Sequence, residues 1–513
     1  EPLEPEPPAA SFTPREVMLS NRQRDELAAD VVAAVAAWND PPRLFRRAGR
    51  VVLAHVDEKG APALREQTSA RFLDVTAQAA RFYTRQRTDE GWKKVHSKLP
   101  QAEVGVALER LAVGETLPPL RGVADAPVMR PDGSILDQVG YDPATGLYAA
   151  FEPVALEVPD RPTPAQVAAA RDLLLELVQD FPFVDQGSRA NALAAVLTLP
   201  LRPLFTLAPL FASDAPMTGT GKARLVAIGA QGREPHAIPE PDDPEEGRKV
   251  LTSLIREGAG LVWIDNVERP LKGAALCAVL TSTTWRDRVL GVSETAKLEH
   301  ALTAVTTGNN LQVRGDLVRR TVWVRVDAQV PNPEERGGFR HPLPDWAFAE
   351  RPRLLSAVFT LARAWIAAGR PALEGVPPMA GFEAWQRVVG GALEVAGVPG
   401  FLANRAEQRA ALDDAVPAWG AFLAAWAKAL PEPVSAKRLA QAAAADSALC
   451  DAIPDDLGDP TDRGFTKALG YALRKRAGQR LAFGRGVAWV EKVQGASHDG
   501  GGSAALWRAQ VQG

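Results

Sequence analysis

Residues 215–223 read Ala-Pro-Met-Thr-Gly-Thr-Gly-Lys-Ala. A glycine-rich turn ending in a lysine at a helix start is a chemistry-bearing string. Its glycines let backbone N–H groups close on a phosphate without Cβ clashes, and the helix N-terminus adds its positive dipole end. Lys222 would reach the β- and γ-phosphates, so the candidate nucleotide contacts are Pro216, Met217, Thr218, Gly219, Thr220, Gly221, Lys222 and Ala223. Two positions depart from G-x-x-x-x-G-K-[ST]: Pro216 replaces the first glycine, and Ala223 replaces the hydroxyl that normally binds Mg²⁺. Both bear on hydrolysis more than on binding. A strand–helix turn with a solvated lysine would read the same, so the string needs partners.

Three partners follow in order. Leu261-Val262-Trp263-Ile264-Asp265-Asn266 is an apolar run ending in an acid, 43 residues after Lys222. Asp265 stands where a carboxylate holds Mg²⁺ and its water, and Asn266 takes the place of a second acid. Ala304-Val305-Thr306-Thr307-Gly308-Asn309-Asn310 ends a further apolar run, and Asn309 could orient an attacking water. Arg319 and Arg320 come next, and either is a candidate arginine finger stabilising transition-state charge. Singly, these are also a turn aspartate, an Asn-rich turn and a solvated arginine pair.

The elements that must carry these residues are legible as an alternation. Short apolar runs at 210–213, 236–238, 261–265, 302–307 and 321–326 alternate with helical stretches at 222–231, 243–257 and 270–280. Such alternation implies an α/β core, a parallel sheet with helices on both faces. The expected organisation is a Pro/Glu-rich linker over 1–19, left by truncation or from a longer parent chain, and an N-terminal α/β domain over 20–160. The ATPase core spans 161–345, a helical lid or connector 346–434, a winged-helix domain 435–494, and a flexible tail 495–513. Ser20 and Gln23 read as a capping box for a helix over 21–38. A strand is expected at 50–57, helix at 77–82, and a short docking helix at 504–511.

Taken together, the loop Gly219-Thr220-Gly221-Lys222, Asp265-Asn266, Thr307-Gly308-Asn309-Asn310-Leu311 and Gly315-Asp316-Leu317-Val318-Arg319-Arg320 resemble the superfamily 3 helicases of the AAA+ class. The likeness is to the primase-helicase type of poxviruses, phages and mobile genetic elements, over about residues 165–345. The turn-rich stretch 140–148 is similar to the segment preceding the ATPase in such proteins. The resemblance implies ATP and Mg²⁺ as substrate and cofactor, and ATP-driven movement on single-stranded DNA by a ring, usually a hexamer. It also implies a DNA-gripping β-hairpin before the strand that carries Asn309. Residues 288–298 fit that hairpin by position, with Arg288 and Lys297 as its cations.

Near the C-terminus, Arg463, Lys467, Arg474, Lys475, Arg476, Arg480, Arg485 and Lys492 face one acid, Glu491, a local balance of +7. On a helix followed by a wing, this is an electrostatic footprint for DNA, including duplex origin DNA. A solvated basic helix face is the plainer alternative. Trp285, Trp323 and Trp489 could stack on bases, but each lies in or beside an apolar pattern that favours a core role.

Composition bounds the rest. The chain has 513 residues and a net charge of −3, so it is no general polyanion coat and any DNA site must be local. Two cysteines and six histidines exclude a structural zinc site, and no apolar run approaches the roughly 20 residues of a membrane span. Scarce cysteines and the lack of a signal sequence make a cytoplasmic location the expectation. Three readings stand: an ATP-dependent DNA helicase or translocase for replication of a phage, plasmid or integrated element; a nucleotide-binding DNA-recognition or loader protein with weak ATPase activity; and a winged-helix DNA binder whose core only oligomerises.

Overall fold

The structure is a computed structural model. It describes residues 12–512 apart from 57–61, 232, 234, 242, 289–294, 413–414, 455–456, 485 and 499–502. The chain divides into two compact units, Glu1–Arg405 and Ala406–Gly513. The division falls inside the helical connector expected over 346–434.

The first unit is built on a parallel sheet. Helix α1 (Pro164–Val178) opens with a capping box between Thr163 and Gln166, and α2 (Gln186–Thr198) is capped by Asp185. Then come β1 (Leu210–Ala215), α3 (Lys222–Ala230), β2 (His236–Pro239), α4 (Pro244–Glu257), β3 (Leu261–Val267), α5 (Ala274–Thr281), β4 (Thr303–Asn309) and β5 (Thr321–Arg325). Every run that the alternation marked as strand is a strand. The five pair in parallel in the order β2-β3-β4-β1-β5. All six residues of β1 are buried, as a central strand covered on both faces requires. The chain leaves β1 for the far edge of the sheet, while β5 pairs on the other side of β1. The C-terminal end of β1 is therefore a topological switch point, where open α/β sheets bind ligands. Helix α6 (Arg351–Ala367) packs on α1.

The N-terminal part of this unit has its own core, with Val31, Val35, Trp38, Phe72, Leu111 and Leu117 among its buried residues. Buried Arg47 ties it to the parallel-sheet core. Its guanidinium donates to the carbonyls of Ile255 and Arg256 at the end of α4 and to that of Glu299. Two local expectations fail here. The helix begins at Arg24 without a side-chain cap, because the Ser20 hydroxyl accepts from the backbone N–H of Arg85 instead. The helix expected over 77–82 is Ser69–Ala79, capped by Thr68, and strand Ala80–Thr88 follows at once.

In the second unit, helix Ala415–Ala429 packs against strands Leu481–Phe483, Gly486–His498 and Ser503–Gln512. Helices Ala436–Ala445, Ser447–Asp451 and Phe465–Arg476 precede those strands. The end of the chain differs from expectation. Residues 504–511 form no docking helix in a flexible tail, but belong to Ser503–Gln512, paired antiparallel with Gly486–His498. The reason is period-two burial: Trp507 and Ala509 are buried while their neighbours are not.

Candidate nucleotide site

The glycine-rich loop runs from the end of β1 into α3. Gly219 and Gly221 have φ of +75° and +95°, conformations that favour glycine. A Cβ on Gly219 would lie 2.8 Å from Glu334 Oε2 and 2.9 Å from Glu334 N, so this glycine also admits a close neighbour.

Lys222 sits where three elements converge. Its ammonium donates to Asn309 Oδ1 (2.7 Å), to the Met217 carbonyl (3.1 Å) and to Thr220 Oγ1 (3.3 Å). Partial burial lowers its pKa, opposed by the charges of Asp214 and Asp265. With Asn309 Oδ1 engaged by the lysine, the amide NH₂ of Asn309 is left as its donor toward the cavity.

Asp265 ends the straight part of β3, beside β4. Its Oδ1 accepts a 2.6 Å hydrogen bond from Thr307 Oγ1. That hydroxyl also accepts from Trp263 Nε1 (3.1 Å) and from the Asn266 N–H (3.2 Å). A hydroxyl has one proton and two lone pairs, so two incoming donors leave its proton for Asp265. The carboxylate is thereby turned with one oxygen held and the other available. Asn266, at φ +49°, lies in the irregularity between the Ile264–Thr306 and Val267–Gly308 pairs of β3 and β4.

Buried Asp214 joins the three strand ends from behind. It accepts from Leu311 N (2.7 Å) and pairs with Arg325 (3.3 Å), while Asn310 N donates to the Ala215 carbonyl. No role follows from the local sequence for Asp214, or for Thr307 within its Thr307–Leu311 string, because their partners are about 40 to 110 residues away.

Lys222, Asp265, Thr307 and Asn309 line a cavity of about 880 Å³, within the usual range for small-molecule sites. Thr218 to Arg224, Asp265, Asn266 and Asn309 form one wall, and Phe181, Phe339, Pro342 and Leu343 supply an apolar one. The segment bearing Phe339 is anchored to α1 and its C-terminal turn. Arg336 donates to the Asp180 carbonyl, Arg340 N to Asp180 Oδ2, and Arg340 and His341 both meet Glu176. The hydrogen bond with His341 holds the Glu176 carboxyl below its usual pKa. This covering segment, too, is invisible in the local sequence.

As a metal site the cavity is spare. Ala223 brings no hydroxyl, and the described residues contain no cluster of three or more His, Cys, Asp or Glu that could hold an ion. One free carboxylate oxygen on Asp265 suits Mg²⁺ that takes its other ligands from phosphates and water.

The remaining candidates lie elsewhere. Arg319 and Arg320 end a 3₁₀ turn, Gly315–Arg320, leading into β5, and neither lines the cavity. They differ in availability. The Arg320 side chain is 11% exposed and bound to Asp316, whereas that of Arg319 is 48% exposed with one contact to the same acid. Lys297 lies on strand Thr295–Glu299, opposite Arg286 of Thr284–Arg288, and both cations line a cleft beside the start of α4. Arg288 is in that hairpin; its side chain and the tip 289–294 lie outside the described residues. Trp285 and Trp323 are buried, which removes them as base-stacking groups. In the second unit, Arg474 and Lys475 are exposed on Phe465–Arg476. Arg476 lies over the Trp419 ring and Arg480 over that of half-buried Trp489, so both are partly committed to packing. Arg485 lies outside the described residues. Tyr471, which nothing in the local sequence singles out, is 68% exposed between Lys467 and Arg474 at helical spacing.

No family model and no curated protein matches the chain. Among solved structures, it is similar to the apo C-terminal region of NrS-1, with 13% identity and a TM-score of 0.31, covering 60% of this chain and 66% of that one. It is also similar to the SCCmec type IV Cch protein, described as an active helicase, with 10% identity and a TM-score of 0.32, covering 87% of this chain and 83% of that one. No helix of the described residues is long and apolar enough to cross a membrane.

Proposed function

We propose that this chain is an ATP-driven DNA helicase or translocase of the superfamily 3, AAA+ type, acting as a ring on single-stranded DNA. The carrying observation is the hydrogen bond from Lys222 to Asn309 beside Asp265, at the C-terminal ends of three adjacent strands. A phosphate held by the loop would meet a cation, a neutral water-orienting amide and a metal-binding carboxylate within one cavity. Gly219 and Gly221 present backbone N–H groups, Lys222 neutralises phosphate charge, and Asn309 holds the attacking water. Asp265, turned by Thr307, anchors Mg²⁺, which supplies charge neutralisation at the phosphates. The apolar wall of Phe181, Phe339 and Pro342 suits a purine base.

Arg319 is the better finger of the pair, since both meet Asp316 but its side chain is the more exposed. Supplied to a neighbouring subunit, it closes a head-to-tail ring, with six subunits as the expected number. Lys297 and Arg286 on the hairpin would touch the DNA backbone in the channel. Helix Phe465–Arg476, read as the recognition helix of a winged-helix domain, would bring Lys467, Tyr471, Arg474 and Lys475 to duplex DNA.

The missing hydroxyl at Ala223 favours a second reading, a DNA-recognition or loader protein that binds nucleotide and turns it over weakly. Strand displacement separates the two. A motor unwinds a forked duplex with ATP, and Lys222→Ala abolishes this. A loader leaves the fork intact at any ATP concentration.

A further inference from the structure

The N-terminal part of the first unit carries a three-stranded sheet in which Arg15–Met18 pairs in parallel with residues 80–83, and its other two strands run on beyond that pairing as a ribbon that none of the roles above uses. Strand Ala80–Thr88 pairs antiparallel with Gly91–His96, and the register places Tyr83 opposite His96, Arg85 opposite Lys94, and Arg87 opposite Trp92. Residues directly opposite share a face, as do alternate residues along each strand. One face begins at Phe82, buried in the N-terminal core. The other carries Tyr83, Arg85, Arg87, Trp92, Lys94 and His96, so cations and aromatic rings share one face.

This face is open. Trp92 is 68% exposed, and Arg85, Arg87 and Lys94 are exposed as well. Lys94 is engaged, lying 4.8 Å from the centre of the Tyr83 ring and paired with Glu16. Arg85 and Arg87 have no carboxylate at ion-pair distance among the described residues. Asp89 and Glu90 belong to the connecting turn, beyond the last paired residues Thr88 and Gly91.

We infer that this ribbon is a binding face for single-stranded nucleic acid, separate from the hairpin of Lys297 and from the second unit. Arg85 and Arg87, two residues apart on a strand, stand about 6.8 Å apart, a spacing of the order of that between successive phosphates on an extended chain. Trp92, beside Arg87, offers a flat ring at the same level. A base can stack on such a ring only if its own face is free, which selects a single strand over a duplex. The sugar does not enter either contact, so the shared chemistry is an unpaired base next to a phosphate, from DNA or RNA. This inference goes beyond the ATPase reading, because the face needs no nucleotide.

The test uses the full chain without nucleotide, so a failed ATP site leaves it unaffected. A thymidine oligonucleotide carrying 5-bromodeoxyuridine is photo-cross-linked and the adduct located by peptide mass. A bromouridine-substituted RNA oligonucleotide and a substituted duplex are run beside it. The expected adduct lies within residues 80–98 for one or both single strands and is much weaker for the duplex. Trp92→Ala should weaken binding at this face about 5- to 150-fold, with Trp92→Phe retaining most of it. Arg85→Ala with Arg87→Ala should lower the salt slope by roughly 0.7 for each phosphate no longer neutralised. Adducts found only outside residues 80–98, with unchanged affinity in Arg85→Glu/Arg87→Glu, would overturn the inference. So would an adduct at Trp92 that forms as readily with the duplex.

Discussion

The Thr307 hydroxyl is the group on which the candidate nucleotide site turns. It receives Trp263 Nε1 and Asn266 N, and gives its proton to Asp265. Thr307→Val keeps the shape but removes the donor, so Asp265 loses a charge-assisted bond of about 1.5–3 kcal/mol. ATP turnover should fall roughly 10- to 150-fold and require more Mg²⁺ for half-saturation, while Thr307→Ser restores both. A merely structural role would lower stability without moving the Mg²⁺ dependence. The residues legible in the sequence were those whose neighbours in the chain explain them: Gly219 to Lys222, and the polar ends of apolar runs at Asp265 and Asn309. Thr307 and Asp214 were not, because each matters only through strands that meet in the fold. The choice between Arg319 and Arg320 was equally closed to the sequence, since it turns on which side chain Asp316 and the 3₁₀ turn bury.

At the scale of elements, buried parallel strands announce themselves as apolar runs with polar ends, and all five core strands were readable for that reason. The ribbon Ala80–Thr88 with Gly91–His96 was not, because beyond Phe82 its residues are largely polar and exposed. Two elements carry predictions. His300, which joins the hairpin to β4, is pushed down to about 4 by burial and by the nearby charges of Arg202 and Arg47. The unfolded chain, with a histidine near 6.5, binds the proton more readily. Stability from this group is therefore complete above about pH 6.5 and is lost as pH falls toward 4. Thermal melts between pH 7.5 and 5.5 should show a steeper acid loss for wild type than for His300→Gln. In the second unit, Lys467, Tyr471 and Arg474 share one exposed face of Phe465–Arg476. Lys467→Ala with Arg474→Ala should weaken duplex binding and reduce its salt slope by about 0.9 for each phosphate left without its cation. Fluorescence anisotropy across a salt series measures both.

Across the molecule as a whole, hydrolysis should depend on contact between copies of the chain. A finger supplied in trans is worth about 10³–10⁵ in rate. Arg319→Ala and Lys222→Ala proteins should each be inactive alone, yet their mixture should recover turnover, since some interfaces then pair an intact loop with an intact arginine. Arg320→Ala, which strips Asp316 of its buried partner, should lose thermal stability and gain nothing from mixing. This assembly is tied to DNA by the proposed work of the cavity around Lys222, which is to hydrolyse ATP and so move the chain along a single strand. The direct measurement is steady-state ATP turnover with and without single-stranded DNA, for wild type and Lys222→Ala. Wild type should turn over ATP several-fold faster with single-stranded DNA, and the variant not above background. Turnover indifferent to DNA, or equal in the two proteins, would overturn the helicase reading.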